Sequence, residues 1–222
     1  MLDEEAGIVA ALAALADCRR RGHEVIVVDG GSRDRTPDLA RPLADIVLAA
    51  PRGRASQMNA GAARASGDVL LFLHADTRLP PAADGLVLDG LRRSACHWGR
   101  FDVTIAGKSP TLRLVAALMN LRSRVSGIAT GDQAIFVTRE AFAAVGGYPD
   151  IALMEDIALS RRLKSVSRPL CLKQRVTTSG RRWDERGVFR TILLMWRLRL
   201  AYFLGAEPAA LARRYGHVPH DG

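Results

Sequence analysis

Apolar residues along this chain follow two rhythms. Glu24 to Asp29 (EVIVVD) is a continuous β-branched run stopped by Gly30-Gly31, the pattern of a strand covered on both faces of a parallel sheet. Ile46 to Ala49 and Val69 to Leu73 (VLLFL) repeat it. Around these runs the spacing switches to the helical period. Glu4 to Arg20 precedes the first strand, a short helix capped by Ser32 or Asp34 and cut off by Pro42 follows it, and alanine-rich Ala55 to Ala65 ends at Gly67. The alternation predicts an α/β fold.

Beyond Pro80-Pro81 the pattern predicts a helix to Arg93, then a half-exposed, antiparallel strand over Phe101 to Ile105, where polar residues alternate with apolar ones. Leu112 to Val125 reads as an amphipathic helix, Ala134 to Val137 as a strand, and Arg139 to Val145 as a helix stopped by Gly146-Gly147. A helix over Glu155 to Lys164, a strand over Leu170 to Lys173 and a long helix over 188–205 complete the chain. The expectation is one domain over residues 1–222, with a mixed, mostly parallel central sheet flanked by helices. The last helix carries Arg190, Arg197 and Arg199 among apolar and aromatic residues. It either packs across the domain with its arginines snorkelling, which is the expectation, or lies at a membrane interface.

Composition narrows the partners. A length of 222 residues suits one well-cored domain, and 48% hydrophobic with 25% charged residues is the globular average. A net charge of +9 suits a polyanion, an anionic membrane surface or a phosphorylated small molecule. Aromatics at 5%, with arginines scattered along helices, argue against nucleic acid. Cys18, Cys96 and Cys171 show neither paired nor metal-ligand spacing. No stretch reaches the ~18 apolar residues of a membrane span, and Asp3, Glu4 and Glu5 do not fit a signal-peptide start. These features predict a cytoplasmic protein, peripheral at most at the inner face of the membrane.

Ligands of open α/β sheets bind outside the carboxyl ends of the strands, so polar residues just after apolar runs are the candidates for chemistry. In VVDGGSRDRT, Asp29, Gly30 and Ser32 either turn around a ligand or cap their own turn. In LLFLHADTRLP, His74 and Asp76 would share one face of an extended segment and a hard divalent cation, leaving positions for phosphate oxygens; the alternative is a polar turn. Glu155 and Asp156 open a helix, where the macrodipole favours carboxylates whether or not they are catalytic. GRASQMNAGA offers Arg54, Gln57 and Asn59 at a helix start, and TGDQAIF offers Asp132 and Gln133. Arg54 either grips phosphate or is solvated.

Taken in order, these segments resemble the family 2 glycosyltransferases, whose fold is the GT-A nucleotide-sugar domain. The resemblance rests on the acidic Asp3-Glu4-Glu5, VDGGSRDRT, HADT at the place of the family's DxD, GGYP, the MED helix, and SGRRW where processive relatives carry QxxRW. The wording GRASQMNAGA, LFLHADTRLP and GDQAIF resembles a small bacterial subgroup, some of whose members are linked with arsenosugar biosynthesis. The resemblance implies an inverting hexosyltransferase that moves a sugar from a nucleoside diphosphate, UDP first, to the hydroxyl of a small molecule or lipid, assisted by Mn2+ or Mg2+. It implies Asp29 at the nucleobase, Asp76 with His74 at the metal, Asp156 as general base with Glu155 beside it, Arg182 and Trp183 by the diphosphate or acceptor, and Asp132 on the acceptor side.

Two departures stand out. His74 replaces a carboxylate, which shifts the expected ion toward manganese. The family's opening apolar strand is missing from a chain that starts Met1-Leu2-Asp3. Rival readings are a nucleotidyltransferase, which lacks its glycine- and lysine-rich loop here, and a non-catalytic binding module or peripheral membrane scaffold on the same fold. The absence of GxGxxG after the first strand argues against a dehydrogenase.

Overall fold

The computed structural model describes residues 1–215. The periodic segment before the first strand forms two helices, α1 (Glu5–Ala13) and α2 (Ala16–Arg20), separated by a tight turn at Ala14-Leu15. β1 (Ile26–Asp29), α3 (Thr36–Ala40), β2 (Ile46–Ala49) and α4 (Arg54–Arg64) follow as the sequence pattern requires. β3 (Val69–Leu71) is shorter than expected and leads through a turn to β4 (Thr77–Arg78) and α5 (Ala83–Arg92). Then come β5 (Trp98–Ala106), α6 (Leu112–Ser126), β6 (Phe136–Thr138), α7 (Arg139–Ala144), α8 (Glu155–Leu163) and β7 (Leu170–Ser179). Three helices close the described chain: α9 (Arg181–Arg186), α10 (Val188–Phe203) and α11 (Pro208–Tyr215).

The sheet is mixed and flanked by helices, but its parallel content is smaller than the sequence suggested. β1 and β2 pair in parallel as a separate two-stranded sheet. The other five strands run in the order β3-β6-β5-β7-β4, in which only β5 and β7 are parallel. β5 corrects the sequence reading most clearly. It is buried along nearly its whole length rather than half-exposed. Its polar residues are neutralised in place: Arg100 pairs with Asp102, Asp102 accepts from Arg124 at 2.6 Å, and Asn120 of α6 bonds both backbone groups of Val103. A buried charge is tolerated only when paired and hydrogen-bonded.

No strand lies between β1 and β3 among the described residues. The outer edge of β1 is met instead by the first residue: the amino group of Met1 donates to Val28 O at 2.7 Å, and Gly30 N donates to Met1 O at 2.9 Å, the pattern of a parallel bridge. α4 ties this edge to the rest. Gln57 Nε2 donates to both Met1 O and Val28 O at 3.0 Å. Gly61 permits the approach, since a Cβ there would sit 3.1 Å from Val28 Cγ2.

The core has four parts. Trp98, Ile135, Val137, Leu159 and Leu163 fill one side of the five-stranded sheet, and Phe101, Val103, Val115 and Phe136 the other, under α6. Ile8, Leu12, Val25, Val27 and Ala40 make a smaller core under the two-stranded sheet. Leu153, Met154, Ile157, Leu198 and Leu211 join α8 to α10 and α11. α10 buries only Thr191 and Leu198 fully, so the expectation that it packs across the domain fails for its aromatic face. Among the described residues, no helix is long and apolar enough to cross a membrane.

Candidate functional site

The loop after β3, the start of α4, the turn before β6 and the start of α8 converge on a cavity of about 2130 Å³. That exceeds an ordinary ligand pocket because the space also runs between β1 and β3, with Val27 on one wall and Leu70 on the other. Of the residues singled out in the sequence, Arg54, Gln57, His74, Asp76, Asp132, Glu155, Asp156, Arg182 and Trp183 line it. Asp29, Gly30, Ser32, Asn59 and Gln133 do not.

The residues of the first glycine turn organise the turn itself. Asp29 Oδ2 accepts from the backbone N–H of Gly31 and of Ser32 at 3.0 Å, and Oδ1 accepts from Ser32 Oγ at 2.5 Å. Ser32 Oγ in turn accepts from Asp3 N at 2.9 Å. Gly31, at φ +87°, supplies the left-handed residue that the turn needs. Gly30 has the side chain of Gln57 where a Cβ would stand, 2.9 Å from its Oε1.

Three amides assigned to substrate make hydrogen bonds within the protein. Gln57 closes the β1 edge as described. Asn59 clamps the backbone of Tyr148, donating to its carbonyl at 2.8 Å and accepting from its N–H at 3.0 Å. Gln133 is fully buried, accepts from Thr130 N at 3.2 Å and donates to Asn120 Oδ1 at 3.4 Å. Trp183, like Val188 and Ile192, packs against the core under α6, and it lines the cavity.

The HxD segment is a turn rather than an extended run, because Thr77 N donates to His74 O at 3.0 Å. His74 and Asp76 therefore do not share a strand face. His74 Nδ1 lies 3.5 Å from Asp132 Oδ1, and its Nε2 is buried against Gly131, where a Cβ would meet it at 2.4 Å, without a partner among the described residues. Burial raises the Asp132 carboxyl, but the hydrogen bond and charge of His74, with Arg54 and Arg182, outweigh it and hold it below its ordinary value. Asp76 is exposed, and its contact with Thr77 Oγ1 is long at 3.4 Å. Among the described residues, no three His, Cys, Asp or Glu side chains form a metal-holding group. The donor set fits a cation held by the exposed carboxylate of Asp76 and completed by phosphate and water, and does not fit a protein cage with His74 as a second ligand.

Glu155 and Asp156 diverge at the start of α8. Glu155 is 3% exposed, with Arg54 Nη1 3.8 Å away, and burial, then the neighbouring charge of Asp156, push its carboxyl up to about 7. Asp156 Oδ2 accepts from Gly131 N at 3.0 Å and Oδ1 from Ile157 N at 2.7 Å. Backbone strain clusters here. Met154 (φ 71°) precedes the pair and Ala134 (φ 48°) follows Asp132-Gln133, both in the left-handed region that non-glycine residues rarely occupy.

Sequence reading missed four residues. Arg122 and Arg199, from α6 and α10, line the cavity with guanidinium nitrogens that are buried and unpartnered among the described residues. Burial, with Arg199 nearby, pushes Arg122 down to about 10. The Tyr148 hydroxyl is likewise buried and unpartnered. Glu4 lines the cavity, and its carboxyl is raised by burial and by Asp76 against the pull of Arg181. Only the acidic cluster and GGYP carried any sign of this. An arginine in an amphipathic helix shows no sign of which way it faces.

The arrangement combines cationic groups (Arg54, Arg182), an open carboxylate and a fixed carboxylate on one cavity, suited to an anionic ligand and a proton transfer. No curated protein matches the chain significantly. Solved structures share its fold. TarS of S. aureus, residues 1–349 with UDP-GlcNAc, superposes with a TM-score of 0.65 at 16% identity over 81% of this chain and 56% of its own. The mannosyltransferase PcManGT of Pyrobaculum calidifontis, with GDP-Man and Mn2+, gives 0.61 at 21% identity over 99% and 64%. Mannosyl-3-phosphoglycerate synthase of Rubrobacter xylanophilus gives 0.58 at 17% over 93% and 74%. The chain thus spans 56% and 64% of the length of the first two. The family model for glycosyl transferase family 2 matches residues 1–125, more than half of the chain, which therefore belongs to that family.

Proposed function

We propose that this chain is an inverting glycosyltransferase that moves a sugar from a nucleoside diphosphate, UDP first, to an acceptor hydroxyl in the cavity between the β3 turn and α8. The observation that carries the reading is the placement of the open Asp76 carboxylate, the Arg54 and Arg182 guanidiniums and the backbone-fixed Asp156 carboxylate on one cavity. Arg54 and Arg182 hold the diphosphate. Asp156 takes the acceptor proton as its oxygen forms the new bond to the anomeric carbon, and the bond from that carbon to the diphosphate oxygen breaks. A divalent cation on Asp76, when bound, supplies charge neutralisation for the departing diphosphate. Glu155 holds Arg54, and Asp132 holds His74 away from the cation. The wording of GRASQMNAGA, LFLHADTRLP and GDQAIF supports the bacterial subgroup that includes arsenosugar-linked members.

The test is to mix the protein with UDP-, GDP- and dTDP-sugars and manganese, with and without chelator, following nucleoside diphosphate release and melting temperature together. Release with at least one donor, suppressed by chelation, is expected. A rise in melting temperature without release under any acceptor would instead support the non-catalytic binding reading, and neither signal would sink both.

A further inference from the structure

Two helices of this fold leave apolar stripes uncovered. On α6, Leu114, Leu118, Leu121 and Val125 recur at helical spacing and are 55–81% exposed. On α10, Phe189, Leu193, Trp196, Leu200 and Phe203 do the same at 57–80%. The helices come near each other where Arg122 and Arg199 sense one another's charge and Met119 and Ile192 pack against one core cluster, and Leu118, Leu121, Leu193, Trp196 and Leu200 line the outer part of the same cavity as the candidate site. Both stripes thus border one opening. Apolar surface of this extent on a folded chain marks an interaction site.

The charge on these helices says what the partner offers. α6 and α10 together carry six arginines and no aspartate, glutamate or lysine. Arg199 and Arg122 turn inward and Arg124 pairs with Asp102, but Arg113, Arg190 and Arg197 are exposed and take part in no ion pair among the described residues. Arg190 and Arg197 follow Phe189 and Trp196 directly, so they flank the apolar stripe about 100° around the helix, where long side chains reach a polar boundary. A second copy would set these unpaired arginines against their own kind. The fitting occupant is apolar within and anionic at its surface.

We propose that the α6–α10 face docks on an anionic lipid bilayer, with both helices lying in the plane of the headgroup boundary, their apolar stripes inserted and Arg113, Arg190 and Arg197 at the phosphates. Flotation of the full chain with phosphatidylcholine vesicles, with and without about a quarter phosphatidylglycerol, tests it directly. Binding to the anionic vesicles only, weakened by salt, is expected. Trp196→Ser with Leu200→Ser should abolish it, and Arg113→Gln with Arg190→Gln and Arg197→Gln should weaken it on the order of a hundredfold. Both sets lie on exposed positions, so melting temperatures should stay at the parent value. No flotation, or flotation indifferent to both variants, overturns the proposal. So does sedimentation that shows a dimer dispersed by the serine variant, which would assign the face to self-association.

Discussion

Gly131 donates its backbone N–H to Asp156 Oδ2 at 3.0 Å, so the turn that carries Asp132 also fixes the carboxylate at the start of α8. Two acids from different elements are thereby held as one unit. Asp156→Asn can keep this hydrogen bond through its amide oxygen while losing the capacity to take a proton. Transfer should fall roughly 10²- to 10⁴-fold with donor binding intact, measured as product formation beside a nucleotide-sugar melting shift. If Asp132→Asn is dead and Asp156→Asn is near parental, the base is Asp132.

Asp76 presents an exposed carboxylate at the cavity, whereas His74 is turned toward Asp132. Asp76→Ala should remove the manganese dependence of nucleotide-sugar binding and leave folding unchanged. His74→Ala should preserve that dependence. Titrating manganese into each variant at fixed nucleotide sugar decides the point, and a metal response that survives in Asp76→Ala transfers the cation elsewhere.

Burial and Asp156 raise Glu155 from the ordinary 4.5 to about 7, so folding favours its protonated form. Its contribution to stability is complete below about pH 4.5 and disappears as pH climbs through 7. Glu155→Gln keeps a neutral side chain at every pH. Relative to this variant, the parent protein should lose on the order of 3 kcal/mol between pH 4 and pH 8. Denaturant midpoints at the two pH values measure the difference, and parallel pH profiles would show that Glu155 is not held in this way.

The centre of β5 rests on a buried charge. Arg100 is fully buried, and Asp102 bridges it to Arg124. Asp102→Asn strands the Arg100 guanidinium in the core and should destabilise by about 3–5 kcal/mol, a drop of roughly 10 °C in melting temperature for a chain of this size. Replacing Arg100 and Asp102 together by apolar residues should recover part of the loss, and a single variant as stable as the parent would mean that water reaches the pair.

The same residues show what the sequence could convey. The parallel β1–α3–β2 unit, α4, α5 and the long helices follow from local periodicity and stop signals, and the structure has them nearly where they were expected. β5 was misread because Arg100 and Asp102 neutralise each other within the strand and their remaining partners, Asn120, Ser123 and Arg124, sit on α6, about 20 residues away, while alternation alone reads such a strand as half-wet. β7 was cut short at Lys173 because its continuation, QRVTTS, is polar on the side that meets β4 and solvent. At the site, Arg54, Asp76, Asp132, Asp156 and Arg182, picked out by their positions at strand and helix ends, line one cavity. The hydrogen bonds of Gln57, Asn59 and Gln133 to Met1, Tyr148 and Asn120 were not legible, because the tertiary fold alone brings these partners near.

The gap between β1 and β3 makes the amino-terminal unit a raft moored to the body of the molecule. Its own keel is the small cluster around Ile8, Val25 and Val27, and its mooring lines are α4, the bonds of Gln57 and Met1, the ion pairs of Arg21 and His23 with Asp84 of α5, and the bond from Ser66 N to Glu24. Motion of the raft against the body would strain these ties and change the distance between the loop after β1 and the residues of the β3 turn and α8. A ligand spanning both sides acts as a clasp, so that closing the cleft and stiffening the first fifty residues are one event.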